Sequence, residues 1–182
     1  MSVFEFVITL YSIVIALGIA RLLGGYVALI EFRGKIAHWP LFVLWLSLLL
    51  FGHVVWWFNL WSRSDTTTFS LFQTVFTFHV PAFLFIACHL LVPSEGARET
   101  MAERYAKLRV PFLVCLAIPF FPSPLLGGIA TGDWSVASYL IPIGGLLLLG
   151  TASANLRFQY LIASAATVVY LVFAVNFRSG VG

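Results

Sequence analysis

The sequence is dominated by apolar runs of about 20 residues that repeat along the chain between short polar breaks. A hydrocarbon core about 30 Å thick takes roughly 20 apolar residues per helix, so each run is long enough to cross a bilayer. Of the 182 residues, 61% are hydrophobic and 9% are charged, whereas soluble domains carry about 25% charged residues. The pattern predicts an all-α integral membrane protein and excludes a soluble globular fold.

The apolar runs predict a bundle of about six transmembrane helices with short loops, forming a single transmembrane domain over residues 1–182. The predicted spans are residues 4–30, 39–61, 70–92, 110–130, 135–153 and 157–177. No basic segment precedes the first span, and Glu5 stands where a signal peptide would have a lysine or arginine. We therefore expect the first span to be retained.

Two segments depart from this regular pattern. The polar break at residues 93–109 has Met101, Tyr105 and Leu108 at helical spacing with Phe112 just beyond it, which predicts a short cytoplasmic amphipathic helix on the membrane surface. In the fourth span, prolines 119, 122 and 124 fall within six residues, so a straight helix is not expected there. Two interpretations stay open, a broken helix that lines a cavity and an early exit into an extracytoplasmic loop.

The distribution of basic residues predicts the orientation of the bundle. One set of loops carries seven lysines and arginines, and the other carries two. The seven are Arg33, Lys35, Arg98, Arg104, Lys107, Arg109 and Arg157, and the two are Arg63 and Arg178. Because short cytoplasmic loops hold the excess of positive charge, both termini are predicted to be extracytoplasmic. These bases are scattered over loops, so the bilayer is the expected partner and nucleic acid is not.

Arg21 is the one cation inside a predicted span. It precedes Ile30 by nine residues, which places it about 13 Å from the predicted cytoplasmic end of its helix. An unpaired arginine at that depth costs roughly 3 kcal/mol or more. It either snorkels or bonds to helix carbonyls, or it forms an anion or substrate site in the bundle with Asn155 and Arg157 at the start of the last span.

Two histidines, His53 and His79, are predicted at similar depth, about 12–14 Å from the extracytoplasmic ends of neighbouring helices. Three interpretations stay open: core histidines bonded to carbonyl groups, a proton relay, and two ligands on opposite sides of a haem iron. No spacing of His89, Cys88 and Cys115 matches a metal site.

The remaining motifs are few. Trp45, Trp56 and Trp57, with Gly52 among them, form either a ligand cage or ordinary aromatic packing. The chain has no nucleophile elbow, zinc-protease motif or phosphate-binding loop, so no class of enzyme is indicated. All seven acidic residues lie at helix ends or in loops, which argues against transport coupled to cations through buried carboxylates.

These observations predict a small channel or transporter for a small solute, with an anion as the first candidate because of Arg21. Such a small bundle is expected to form a homo-oligomer. The alternative is a binding or accessory membrane protein, for which His53 and His79 suggest a haem-carrying redox subunit.

Overall fold

The computed structural model describes residues 3–32, 36–61, 70–94 and 99–176, and every regular element among them is helical. The helices are α1 (Val3–Phe32), α2 (Trp39–Trp61), α3 (Leu71–Leu91), α4 (Met101–Ala117), α5 (Pro122–Thr131), α6 (Ser135–Leu149) and α7 (Leu156–Asn176). Short 3-10 turns, Ile118–Phe120 and Gly150–Ala152, follow α4 and α6. Counting α4 and α5 as one segment, six helical segments in these ranges are long and apolar enough to cross a membrane, as the sequence predicted.

Local sequence explains several helix ends. Ser70 is the N-cap of α3 and Thr100 is the N-cap of α4. Each forms a capping box, in which its hydroxyl accepts a hydrogen bond from the backbone N–H three residues further on. The reciprocal side chains are Gln73 and Glu103. Gly132 ends α5 in the left-handed conformation, with φ at 72°, which glycine adopts without steric cost.

The helices pack around one large apolar core. α1 lies against α2 and α3, α4 lies against α3 and α6, and α7 lies against α2 and α6. Trp45 is fully buried in α2, and its ring meets the ring of Phe112 edge-on at 5.5 Å between centroids. On the outside, Ile30, Phe72 and Val175 are each more than 70% exposed. Such side chains suit a lipid-facing surface better than an aqueous one.

The fourth span begins earlier than predicted, and the separate surface helix is not observed. One continuous helix starts at Met101, where the Thr100 capping box sets its first turn. Met101 and Tyr105 are buried in the bundle, and the Tyr105 ring lies 5.7 Å from that of Phe42 in α2. The apolar stripe of this segment therefore packs against other helices, which replace the lipid interface expected for it.

The proline-rich part of the fourth span is a broken helix, so the early exit into a loop is not what the chain does. The α-helix ends at Ala117, a 3-10 turn covers Ile118–Phe120, and α5 starts with Pro122 at its first position. Pro119 and Pro122 lack the N–H groups that a continuous α-helix would need. We refer to Ile118–Phe121 as the interruption.

Candidate functional site

A pocket of about 280 Å³ lies between α2, α3, α5, α6 and α7, and we call it the bundle pocket. The interruption forms part of its wall through Pro119 and Phe120, and α5 adds Ser123 and Pro124. Most of the remaining surface is apolar, as in typical small-molecule sites.

Glycines leave space for the bundle pocket. Gly52 in α2 and Gly127 in α5 both line it. A Cβ atom at Gly127 would meet no other atom within 4 Å, and one at Gly52 would lie 3.9 Å from the Tyr170 hydroxyl. A larger side chain at Gly127 would therefore extend into open space beside the pocket rather than into a packed neighbour.

Few polar groups reach the bundle pocket. Trp56 has a buried indole N–H that finds no acceptor among the described residues. Tyr170 is 5% exposed, and its hydroxyl likewise has no partner within the described ranges. Asn59 adds an amide near the end of α2. Buried donors are usually bonded, but the Trp56 nitrogen is itself inaccessible, so the Tyr170 hydroxyl is the group of the two that a ligand in the pocket can reach.

Asp133 is the one ionisable side chain, other than the Tyr170 phenol, among the residues seen to line this pocket. It lies in the turn between α5 and α6, and its Oδ1 accepts a hydrogen bond from the backbone N–H of Ser135 at 2.9 Å. Hydrogen bonds from Ser135 hold the pKa of the Asp133 carboxyl below its usual range. The group is therefore an anion at neutral pH, and it stays exposed at the edge of the pocket.

The two predicted histidines do not line the bundle pocket. His53 is fully buried; its Nδ1 lies 2.8 Å from the carbonyl oxygen of Leu49, and its Nε2 is pressed against Gly18 of α1. The ring of His79 bonds through Nδ1 to the carbonyl of Phe76. No hydrogen bond or ring contact joins the two imidazoles within the described ranges. Because the free nitrogen of His53 faces the backbone of α1, this geometry leaves no room there for a haem iron.

Arg21 lies in a separate, larger groove of about 980 Å³ between α1 and α3, which we call the α1–α3 groove. Its Nη2 donates to the carbonyl oxygen of Val92 at 2.8 Å, so the bond to a helix carbonyl, one of the two predicted roles, is present. Glu31 and Glu99 line the same groove. Arg104 and then Lys107 hold the pKa of Glu99 below its usual range, so the groove carries both signs of charge.

The other members of the predicted anion site lie elsewhere. Asn155 and Arg157 are exposed at the start of α7, and neither lines the α1–α3 groove. The Oδ1 of Asn155 accepts a hydrogen bond from the backbone N–H of Arg157 at 3.0 Å, which caps the first turn of α7. The structure therefore does not bring Arg21, Asn155 and Arg157 together into one pocket.

A buried polar network at the junction of α4, α6 and α7 was not anticipated from the sequence. The hydroxyl of Tyr105 donates to Oε1 of Gln159 at 2.6 Å. Gln159 and Arg109 both donate to the carbonyl oxygens of Gly150 and Ser153 where α6 gives way to α7. A single glutamine within an apolar run was the available signal, because such residues usually bond to a neighbouring helix.

The bundle pocket thus offers a ligand apolar contact, aromatic rings, the hydroxyl groups of Ser123 and Tyr170, which have no partner among the described residues, and one carboxylate. Among the described residues, no group of three or more histidine, cysteine, aspartate or glutamate side chains is placed to hold a metal ion. Comparisons of the chain with protein-family models, with curated proteins and with solved structures found no match.

Proposed function

We propose that this protein is a multi-pass membrane transporter that binds and passes one small solute through the bundle pocket. The observation that carries the proposal is the interruption between α4 and α5, which forms a wall of that pocket. Broken helices are tolerated at membrane depth where they line a cavity, and transporters place substrate sites at such breaks. Enzymatic function has no comparable support among the residues that line the pocket.

The pocket favours a small solute with a large apolar surface and one or two polar groups. Its volume of about 280 Å³ is enough for a solute of the size of a simple metabolite. The anion first expected from Arg21 has weaker support, because Arg21 lies in the other groove and one of its N–H groups is committed to Val92. A haem-carrying accessory role loses its main support with the packing of His53 against Gly18.

The proposed orientation keeps both termini extracytoplasmic, and the turn that holds Asp133 then faces outward. Six spans bring the start of α1 and the end of α7 to the same side. The prediction of a homo-oligomer also stays a prediction.

The transport proposal is tested by osmotic swelling of proteoliposomes. Purified protein is reconstituted, and the rate of swelling is followed by light scattering in isosmotic glycerol, urea, acetamide, sodium chloride and choline chloride. We expect at least one solute to enter faster than in protein-free liposomes. Gly127→Leu, which places a leucine at the bundle pocket where nothing lies within 4 Å of its Cβ, should abolish that difference.

Two matched variants control for the introduction of a leucine. Gly145 in α6 also has nothing within 4 Å of its Cβ position and lines neither pocket, so Gly145→Leu should keep the wild-type rate. Gly24 has the same clearance but lines the α1–α3 groove. Loss of flux in Gly24→Leu with retention in Gly127→Leu would move the pathway to that groove, and absence of any protein-dependent flux would reject the proposal.

A further inference from the structure

Aromatic rings make up a continuous part of the bundle pocket. Phe120, Tyr170 and Phe173 line it from the interruption and from α7, and Trp56 lines it from α2. The rings of Phe120 and Tyr170 are nearly perpendicular with centroids 5.8 Å apart, and those of Tyr170 and Phe173 are nearly parallel at 6.0 Å. The faces of such rings carry negative potential and attract cations, with tryptophan the strongest.

The Asp133 carboxylate beside these rings is negative, as is the potential at the ring faces. Asp133 is ionised, and among the described residues it forms no ion pair with a lysine or an arginine. α5 ends at Thr131 in the wall of the pocket, and the C-terminal end of a helix adds partial negative charge. The N-terminus of α6 opposes this, but its Ser135 N–H already donates a hydrogen bond to Oδ1 of Asp133. The Asp133 carboxylate, which no lysine or arginine neutralises among the described residues, therefore favours a positive group at this edge of the pocket.

The hydrogen-bonding groups define the other end of the ligand. The indole N–H of Trp56 is a donor only, and it has no acceptor among the described residues. The hydroxyl of Tyr170 stands close by the pocket wall at Gly52. Because the Trp56 nitrogen is itself inaccessible, the Tyr170 hydroxyl, which has no partner among the described residues, is the donor offered to a ligand oxygen such as a hydroxyl or a carbonyl.

We propose that the bundle pocket selects a small organic cation, one with an alkylated ammonium head and a hydroxyl or carbonyl oxygen a few bonds away. The aromatic rings, with that of Trp56 among them, and Asp133 hold the ammonium head, and the Tyr170 hydroxyl donates to the oxygen. This proposal rests on the proposed function only in taking the bundle pocket as the binding site.

The charge of the ligand is tested with a pair of molecules of the same shape. Choline and 3,3-dimethylbutan-1-ol have the same shape. The alcohol has an uncharged carbon where choline has its ammonium nitrogen. Binding of each to purified protein in detergent micelles is measured by titration calorimetry, with sodium acetate as an anionic probe. We expect choline to bind about tenfold more tightly than the neutral alcohol, and acetate to show no binding.

The site is tested with substitutions that keep the local structure. Asp133→Asn retains an oxygen for the N–H of Ser135 and removes the charge, so it should weaken choline binding several-fold and leave the neutral alcohol unaffected. Trp56→Phe keeps an aromatic face and should retain more choline affinity than Trp56→Leu. Glu31→Gln removes a negative charge from the α1–α3 groove and should change neither affinity.

The outcomes separate this proposal from the transport proposal. Equal affinity for choline and the alcohol, no choline binding, or tighter binding of acetate would overturn the cation proposal, even where Gly127→Leu abolishes the flux of another solute. Choline binding that depends on Asp133, in a protein that swells no liposome, would support the cation site and reject transport. Equal losses in Asp133→Asn and Glu31→Gln would overturn the assignment of the site to the bundle pocket.

Discussion

At the scale of single residues, arginine side chains complete the C-terminal end of α3. The Nη2 of Arg21 donates to Val92, and Arg104 donates through Nε to the carbonyl oxygen of Leu90 and through Nη2 to that of His89. The last carbonyls of a helix lack intrahelical partners and carry partial negative charge. A guanidinium group supplies hydrogen-bond donors for those carbonyl oxygens and a positive charge beside their partial negative charge.

We predict that Arg21→Gln lowers the thermal stability of the protein. A hydrogen bond to a charged group contributes about 1.5–3 kcal/mol, so Tm should fall by roughly 3–10 °C for a chain of this length. Thermal unfolding in detergent micelles measures the change. Arg157→Gln is the matched control, because its guanidinium is exposed and makes no side-chain bond among the described residues, and its Tm should match the wild type.

The opposite pattern would favour the anion site predicted from the sequence. In that case Arg21→Gln would keep its Tm and reduce the flux of an anion into proteoliposomes, while Arg21→Lys would recover part of that flux. The sequence identified Arg21 as unusual because charges are rare in spans. Its partner could not be predicted, since Val92 lies 71 residues further along the chain.

At the scale of helices, α1 and α2 approach closely where His53 meets Gly18. A Cβ atom at Gly18 would lie 3.0 Å from Cδ2 and 3.2 Å from Cε1 of His53, and it would overlap Nε2. The imidazole cannot move away easily, because it is fully buried and its Nδ1 is bonded to Leu49. The absence of a side chain at Gly18 therefore sets the distance between the two helices.

We predict that Gly18→Ala destabilises the protein by about 1–3 kcal/mol through overpacking. Gly24→Ala is its control in the same helix, because a Cβ atom there meets nothing within 4 Å. That variant should be neutral or stabilised by up to about 1 kcal/mol through higher helix propensity. Chemical denaturation in mixed micelles gives both values. Equal stability of the two variants would contradict this account of α1 packing, and His53→Ala should relieve most of the cost of Gly18→Ala.

The spans were largely predictable, because the length of an apolar run fixes where a helix can cross a bilayer. The predicted start of the fourth span was wrong. An amphipathic stripe indicates that one face of a helix will be buried, but it does not indicate whether lipid or other helices bury it. Met101 and Tyr105 found that cover in the bundle. The three prolines predicted a break, but the direction of the chain after it depends on the packing of α5 against α6.

At the scale of the whole molecule, basic side chains gather at one end of the bundle. Arg104 and Arg109 belong to α4, and their side chains contact the C-terminal ends of α3 and α6. Arg157 lies at the start of α7. The predicted bases at positions 33, 35 and 98 lie outside the described residues. The turn at the other end, between α5 and α6, carries Asp133 and no base. The orientation stays a prediction from the count of basic residues in the loops.

We predict that alkaline phosphatase fused after Gly182 is active and that a green fluorescent protein fused there is dark, because the proposed orientation places the C-terminus outside the cytoplasm. The same two reporters fused after Pro93, which follows α3, should give the reverse result. A fluorescent fusion at Gly182 would invert the orientation and turn Asp133 and the bundle pocket toward the cytoplasm.

The bundle pocket itself was only partly visible in the sequence. Gly52 and Trp56 were recognisable as members of an aromatic group, but Trp45 of the same group is in the core and Trp57 faces Ser12 of α1. Tyr170 and Phe173 gave no signal, because an aromatic residue in an apolar run looks the same whether it packs in a core, faces lipid or lines a cavity.

The capped end of α3 also bears on how the chain is made. Arg21 precedes α3 in the chain and Arg104 follows it, so during synthesis the partner of Val92 emerges before the partner of Leu90 and His89. The carbonyl oxygens of His89 and Leu90 then face water or lipid headgroups until the first turn of α4 arrives. We therefore expect the C-terminal end of α3 to be fully bonded only after the first turn of α4 has folded against it.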